Sequence, residues 1–454
     1  MTQILWLRND LRLHDHEGFR LASGRGEPLA VVFILPQHWL SEDAHGMTRL
    51  GAAKAHFLRS ALIDLHRQLE DQTIDLHIFS GEPVDIFTRL RREIHGPLTL
   101  LTSEAQAPEE AAWLTALSHL DLTLETYESQ TLFTGRQTAV LAPDFPSPFT
   151  RFRQQVEQHP DRWQVGAPAA TPPLGVHEQV LRLQAPVRWP TATYQVNLGV
   201  SGGERGALTW WHEYLASGAI ATYKTTRNDL IGRFSSSHLS AALAWGCLSV
   251  RQVWHDILAW EAVNGASEGS GWLRFELLWR EYFHWSLRHH GQRLFRLQGL
   301  SEQRPSCDFN EDRWQRWCDA STGIPMVDAG LRELRHTGHV SNRLRQNMAS
   351  YFIHQLGLDW RLGARWFEMY LADFDVASNY GNWAYIAGVG HDARPQRQFN
   401  LNRQLRQYDP QLSHIRHWCP ELNGFTLDDI VAHQTGARNI ALFPAPIVPA
   451  PDGA

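Results

Sequence analysis

The hydrophobic periodicity of this 454-residue chain changes character once, and that change constrains its fold more than any other feature. Over the first 130 residues, short apolar runs at 4–7, 29–35, 76–79, 98–101 and 122–126 alternate with segments at 49–69, 84–94 and 108–117. In those segments apolar residues recur every three to four positions. Strands apolar on both faces, separated by helices, imply a doubly wound parallel sheet covered on each side. From 131 to 203 the periodicity gives way to proline, at Pro143, Pro146, Pro148, Pro168, Pro172 and Pro173, broken by one amphipathic piece at 148–158. So long a connection marks an interdomain linker. From 204 to 435 only helical spacing appears, as in 207–218, 249–262, 272–290, 325–338 and 341–355. The expected fold is an N-terminal α/β domain (1–130), a linker (131–203), an all-α domain (204–435) and a flexible proline-rich tail (436–454).

Net charge is -6, which excludes a protein that coats nucleic acid nonspecifically but leaves room for a local basic patch. Lys54 and Lys224 are the only lysines, so arginine dominates, clustered at 280–304 and 394–416. Arginine's planar fork suits phosphate and ring stacking. Cys247, Cys307, Cys318 and Cys419 show no metal-ligand spacing, so no metal site is expected and a reduced, cytoplasmic protein is. No secretion signal opens the chain, and no apolar stretch reaches the ~18 residues that span a bilayer. The 19 tryptophans, most of them after residue 200, ask for more than packing.

Chemistry concentrates in four places in the helical region. Asp373-Phe-Asp-Val-Ala-Ser-Asn-Tyr-Gly-Asn-Trp-Ala-Tyr385 interleaves carboxylates and amides with aromatic rings, a composition suited to a flat polar ligand such as a flavin. Tyr223 and Ser235-Ser-Ser-His-Leu-Ser240 offer hydroxyls and N–H groups at the expected start of a helix (239–247), either as an N-cap or as a diphosphate site. In Phe275-Glu-Leu-Leu-Trp-Arg-Glu-Tyr-Phe283, helical spacing puts Glu276, Trp279, Arg280 and Phe283 on one face. Ser341-Asn-Arg-Leu-Arg-Gln-Asn347 supplies Asn342 and Arg345, and Arg345 would neutralise Asp373 if the two segments pack together.

Together with Trp6-Leu-Arg-Asn-Asp-Leu-Arg12, Gly323-Ile-Pro-Met-Val-Asp-Ala329 and Asp359-Trp-Arg361, these segments resemble the photolyase/cryptochrome flavoproteins over residues 1–430. The motifs at 341–347 and 379–390 most resemble the cryptochrome DASH branch. The resemblance implies that Tyr223, Ser236, Ser237, His238, Leu239 and Ser240 hold the diphosphate of FAD. Arg280, Phe283, Asn342, Arg345, Asp373 and Asp375 would surround the rest of the cofactor, with Asn379 facing flavin N5. It implies blue-light-driven splitting of cyclobutane pyrimidine dimers in ultraviolet-damaged DNA by a monomer, Glu276 hydrogen-bonding the lesion while Trp279 and Tyr385 wall it. The other reading within the family is a photoreceptor signalling through flavin photoreduction.

Departures from the family pattern carry their own implications. Tyr385 stands where full duplex repairers have Trp, and Gln346 where they have Met, so the lesion is gripped less and a single-stranded substrate is expected. Ser341 stands where repairers of the (6-4) photoproduct carry histidine. Trp383 and Trp360 match the first two members of the electron relay, but the third position falls at Ser306 or Cys307, leaving Trp314, Trp317, Trp366 or a tyrosine as substitutes. The branch often carries methenyltetrahydrofolate as antenna, held partly by a Glu where this chain has Ser147-Pro148. Glu109 and Glu110 lie near another antenna contact but also suit the opening of a helix, so the antenna stays open.

Overall fold

A computed structural model describes residues 2–170, 172–191, 201–391 and 398–451. Most of the polar segment 391–398, and the end of the expected linker, lie outside them. Five parallel strands, β1 (Thr2–Leu7), β2 (Leu29–Leu35), β3 (Leu76–Ser80), β4 (Leu98–Ser103) and β5 (Thr123–Tyr127), form one sheet in the order β3-β2-β1-β4-β5. β2 and β4 are buried along their whole length, as continuous apolar runs require. β5 is an edge strand with two exposed positions. A parallel β1–β2 pair needs a crossover, and the helix Glu17–Arg25 supplies it. The sequence hides this helix because Gly18, Ser23 and Gly24 dilute its apolar face. A Cβ at Gly18 would stand 2.6 Å from the Tyr127 ring, so close packing requires the glycine.

The linker is docked rather than loose. The carboxylate of Glu281, fully buried, accepts hydrogen bonds from the backbone N–H of Leu132 (2.8 Å) and Phe133 (3.0 Å). The Tyr282 hydroxyl donates to Pro146 O at 3.0 Å. Within the linker the helix Phe149–Gln158 buries Phe149 and Phe152 against the helical domain. The expected flexible tail is also corrected for residues 436–451. Ile440 and Phe443 are buried, Ile447 N–H donates to Thr322 O, and Ala450 N–H to Gln434 O. Prolines forbid helix there, but an extended segment whose backbone is paired and whose apolar side chains find a groove needs none.

Helices Glu268–His290, Asn342–Ser350, Trp360–Tyr370 and Val376–Ile386 surround the centre of the second domain. The last turn of Asn342–Ser350 widens into a π-helical segment, Tyr351–Gln355. The helix expected over 239–247 is a single short one, Ser240–Ala244. Gly246 (φ +64°) follows it, and a Cβ there would meet Asn9 O at 2.0 Å, so this turn is pressed onto the loop after β1.

Candidate functional site

The helical domain encloses a cavity of about 800 Å³, near the upper end of the ~300–1,000 Å³ usual for ligand sites. Its floor is built where Asn342–Ser350 faces Val376–Ile386. Asp375 caps the latter helix by accepting from Ser378 N–H at 2.6 Å, and Ser341 caps the former. These caps place Asn342, Arg345, Asp373 and Asp375 on one wall. Tyr223, residues 235–240, Arg280 and Phe283 line the same cavity, with His238 5.2 Å from His339. A smaller adjoining cavity, about 80 Å³, shares Asn342, Arg345, Asp373 and Asp375 and adds Asn379 and Trp383. Every expected cofactor-binding residue therefore lines one or the other of two cavities that share a wall, although they come from four separate stretches of chain.

The electrostatics of that space are ordered. Arg345 Nη2 donates to Asp373 Oδ2 at 2.8 Å. Burial works against the Asp373 charge, but the Arg345 guanidinium, attracting and hydrogen-bonding it, outweighs that cost and holds the carboxyl below its ordinary range. Asp373 Oδ1 is buried and meets no donor at bonding distance, although the Ser240 side chain is near enough to favour the charge. Asp375 lies 2.9 Å from His284 Nε2, and against the cost of burial His284 and Arg280 hold it well below the carboxylate range. His339 is pushed down to about 3 by burial and by Arg345, so it is a neutral ring. The Asn379 side-chain amide donates to Ala364 O at 3.0 Å, which fixes its orientation in the wall of the small cavity that Trp383 also lines.

The helix expected over 239–247 is too short to act on the cavity through its dipole. With only Ser240–Ala244 helical, no long dipole points into the cavity, and the polar character there comes from Ser236, Ser237 and Ser240 around His238, whose φ is +50°.

At the mouth stand Glu276, Trp279 and Tyr385. Glu276 Oε1 accepts from Arg227 (2.6 Å) and from the Trp272 indole (2.9 Å), while burial raises its carboxyl above the ordinary range against both. Trp279 and Tyr385 meet edge to face at 6.2 Å. Trp279 is itself stacked on Phe149 of the docked linker, with ring centroids 3.8 Å apart and planes 17° from parallel. Sequence reasoning missed Phe149, His284 and Arg227. Phe149 lay in a segment read as a connection, and nothing in spacing pairs His284 with Asp375 across two helices.

The remaining two expected residues lie behind the cavity. Trp383 is buried with its ring edge over Gly363, where a Cβ would be 2.3 Å away, and edge-on to Phe367 and Phe352 at 5.0 and 5.6 Å. Trp360 opens that same helix one turn earlier, lines neither cavity, and donates its indole N–H to Leu297 O at 2.9 Å.

Two family profiles match this chain: "DNA photolyase" over residues 3–173 and "FAD binding domain of DNA photolyase" over 272–450. A cryptochrome DASH from Idiomarina loihiensis is 38% identical, over 94% of this chain and 94% of its own. The chain belongs to the photolyase/cryptochrome family. Among solved structures, a Synechocystis cryptochrome superposes with a TM-score of 0.87 at 31% identity, covering 98% of this chain and 96% of that one. A class III photolyase from Agrobacterium tumefaciens does so at 0.79 and 28%, covering 98% and 94%. The α/β-plus-helical architecture is that of photolyases and cryptochromes, and the helical part of this family member is an FAD-binding domain.

The residues present fit the cofactor. Asp373, whose Oδ1 is buried without a hydrogen-bond partner, lines both cavities together with Arg345, while Arg280 lines the larger and the fixed amide of Asn379 the smaller. The antenna is different: Glu109 pairs with His38 and Arg49 at 2.8 Å, and Glu110 with Arg8 at 2.9 Å. Both carboxylates thus act in the structure as intramolecular partners. Among the described residues no helix is long and apolar enough to cross a membrane, and all four cysteines are free thiols.

Proposed function

We propose that this chain is a monomeric, blue-light-driven lyase that splits cyclobutane pyrimidine dimers in single-stranded DNA. The observation that carries the reading is the continuity between the mouth formed by Glu276, Trp279 and Tyr385 and the inner wall of Arg345, Asp373 and Asp375. Bound FAD, in its reduced and photoexcited form, would supply one electron to the lesion and take it back.

The chain's own residues do the rest. Trp279, held by Phe149, offers a rigid face for a flipped-out dimer, and Tyr385 closes the other side. Arg227 and the Trp272 indole keep the Glu276 carboxyl in place, where it would hydrogen-bond the lesion. Arg227 and Arg343 line the mouth, where strand phosphates would pass. Gln346 is tied to Arg343 at 3.0 Å, so a polar group stands near the lesion where an apolar one would grip harder. A weaker grip compensates less of the few kcal/mol that flipping from a duplex costs, which favours single strands.

The test is repair of ultraviolet-damaged oligothymidine, with and without blue light, by protein whose cofactor has been reduced. Light-dependent loss of dimers is expected, faster on single than on double strands. No light-dependent repair would leave the photoreceptor role, and equal rates would remove the strand preference. Trp279→Ala should weaken lesion binding by about 1–3 kcal/mol, as loss of a stacked base does.

A further inference from the structure

We propose that Tyr380 is the terminal electron donor of this chain's relay, giving its electron to Trp360 and its phenol proton to Glu368. The proposal rests on the family reading adopted above, whose resemblance implies a relay that reduces the flavin through Trp360 and Trp383, and it fills the position where the sequence supplies Ser306 or Cys307 instead of a third indole.

Four contacts point to it. The Tyr380 ring meets Trp360 edge to face at 6.4 Å and is clamped by Phe295 at 4.8 Å. Its hydroxyl donates to Glu368 Oε2 at 3.0 Å, within the buried interior. Oε1 of the same carboxylate is held by Arg49 Nε at 2.6 Å. Arg49 is shared with Glu109 at 2.8 Å, so it keeps an anionic partner when Glu368 becomes neutral. The other cation close by, Lys54, donates to the backbone oxygens of Glu368 and Arg49 rather than to the carboxylate.

Trp317 has no such exit. Trp383 reaches Trp317 and Trp366 across the rings of Phe352 or Phe367, which an indole radical cation does not oxidise. Trp317 Nε1 is buried without a hydrogen-bond partner. A radical cation there would be an unpaired buried charge, which is costly. Trp360 faces the same difficulty, because its indole N–H is bonded to a backbone carbonyl that cannot take a proton. Transfer from Tyr380 resolves the charge. One electron passes from the phenol to the Trp360 radical cation as the O–H bond breaks and the proton crosses to Oε2. The products are a neutral tyrosyl radical, a neutral indole and a carboxylic acid at Glu368. Arg49 cannot pass a proton on, so the proton waits at Glu368 until an external thiol, oxidised by one electron, returns an electron to the tyrosyl oxygen and the proton crosses back.

The experiment illuminates purified protein carrying oxidised FAD and identifies the amino-acid radical by electron paramagnetic resonance and transient absorption. The wild type should give a tyrosyl signal that forms more slowly in D2O. Tyr380→Phe should leave only an indole radical that recombines, with net photoreduction down about tenfold or more, the equivalent of ~1.4 kcal/mol on the competing step. Glu368→Gln, which keeps a hydrogen-bond acceptor but no base, should lower the tyrosyl yield while thermal stability and bound cofactor verify folding. Tyr370→Phe should change nothing. A wild-type radical signature and yield in Tyr380→Phe, or loss of the tyrosyl signal in Tyr370→Phe, overturns the assignment of Tyr380 alone. Unchanged photoreduction in Trp383→Phe and Trp360→Phe overturns the relay itself.

Discussion

At the scale of single residues, the site depends on carboxylates whose charge is held by neighbours and on glycines that let rings approach. Asp373 and Asp375 have folded-state pKa values below the unfolded value of 3.8. Their contribution to stability is therefore complete above about 4 and is lost as pH falls through the lower folded values. Acid unfolding followed by circular dichroism should show this slope, and Asp375→Asn should flatten it while lowering stability at neutral pH. Gly363→Ala makes the opposite kind of test. A helix-favouring methyl would be inserted 2.3 Å from the Trp383 ring, so overpacking should outweigh propensity and cost about 1–3 kcal/mol. Thermal melting and the near-ultraviolet circular dichroism of the displaced indole would report it. At this scale the sequence was informative about residue types, since Asp373, Asn379 and Trp383 were all expected near one ligand. It could not show that Asn379 is oriented by Ala364 O, because a backbone acceptor has no signature in side-chain spacing.

At the scale of elements, strands and long helices followed their hydrophobic period, and the errors fell where period carries no information. The helix Glu17–Arg25 was missed because its buried face, Gly18, Phe19 and Ala22, carries a single large apolar residue, with Gly18 fitted against Tyr127 and Leu5. The segment after 436 was read as flexible because proline excludes helix and sheet. It is nevertheless anchored, with Phe443 packed edge to face on His433 and Tyr351 donating its hydroxyl to Val448 O at 2.9 Å. Phe443→Ala should therefore destabilise the protein by about 3–5 kcal/mol, the usual loss for a buried phenylalanine. A change near zero in its denaturant midpoint would mean that the tail does not stabilise the fold. The linker likewise contributes an aromatic face to the site through Phe149, an assignment no local pattern makes.

At the scale of the whole molecule, the two domains are joined by polar groups rather than by an apolar seam alone. Asp15, fully buried beside the sheet, accepts from Arg251 at 2.7 and 3.1 Å, and Glu204 accepts from the backbone N–H of Leu13 and His14. Arg12 Nη1 reaches Gly246 O at 3.0 Å in the same seam. Arg251→Ala would leave the buried Asp15 carboxylate with the Ser249 hydroxyl and the Ala169 N–H but without the guanidinium paired to it, so it should cost about 3–5 kcal/mol and make the domains unfold less cooperatively. Calorimetry would detect a broadened or divided transition. The sequence by itself determined the α/β-then-helical order, because burial on two faces, on one stripe or on none writes distinct periodicities into the chain. It also determined which residue types could serve a flavin and a lesion. Only the tertiary structure decided which of them meet. Asp375 finds His284, Trp279 finds Phe149, and Tyr380 finds both Trp360 and Glu368, because these contacts span separate elements whose packing angles and close approaches no one-dimensional pattern encodes.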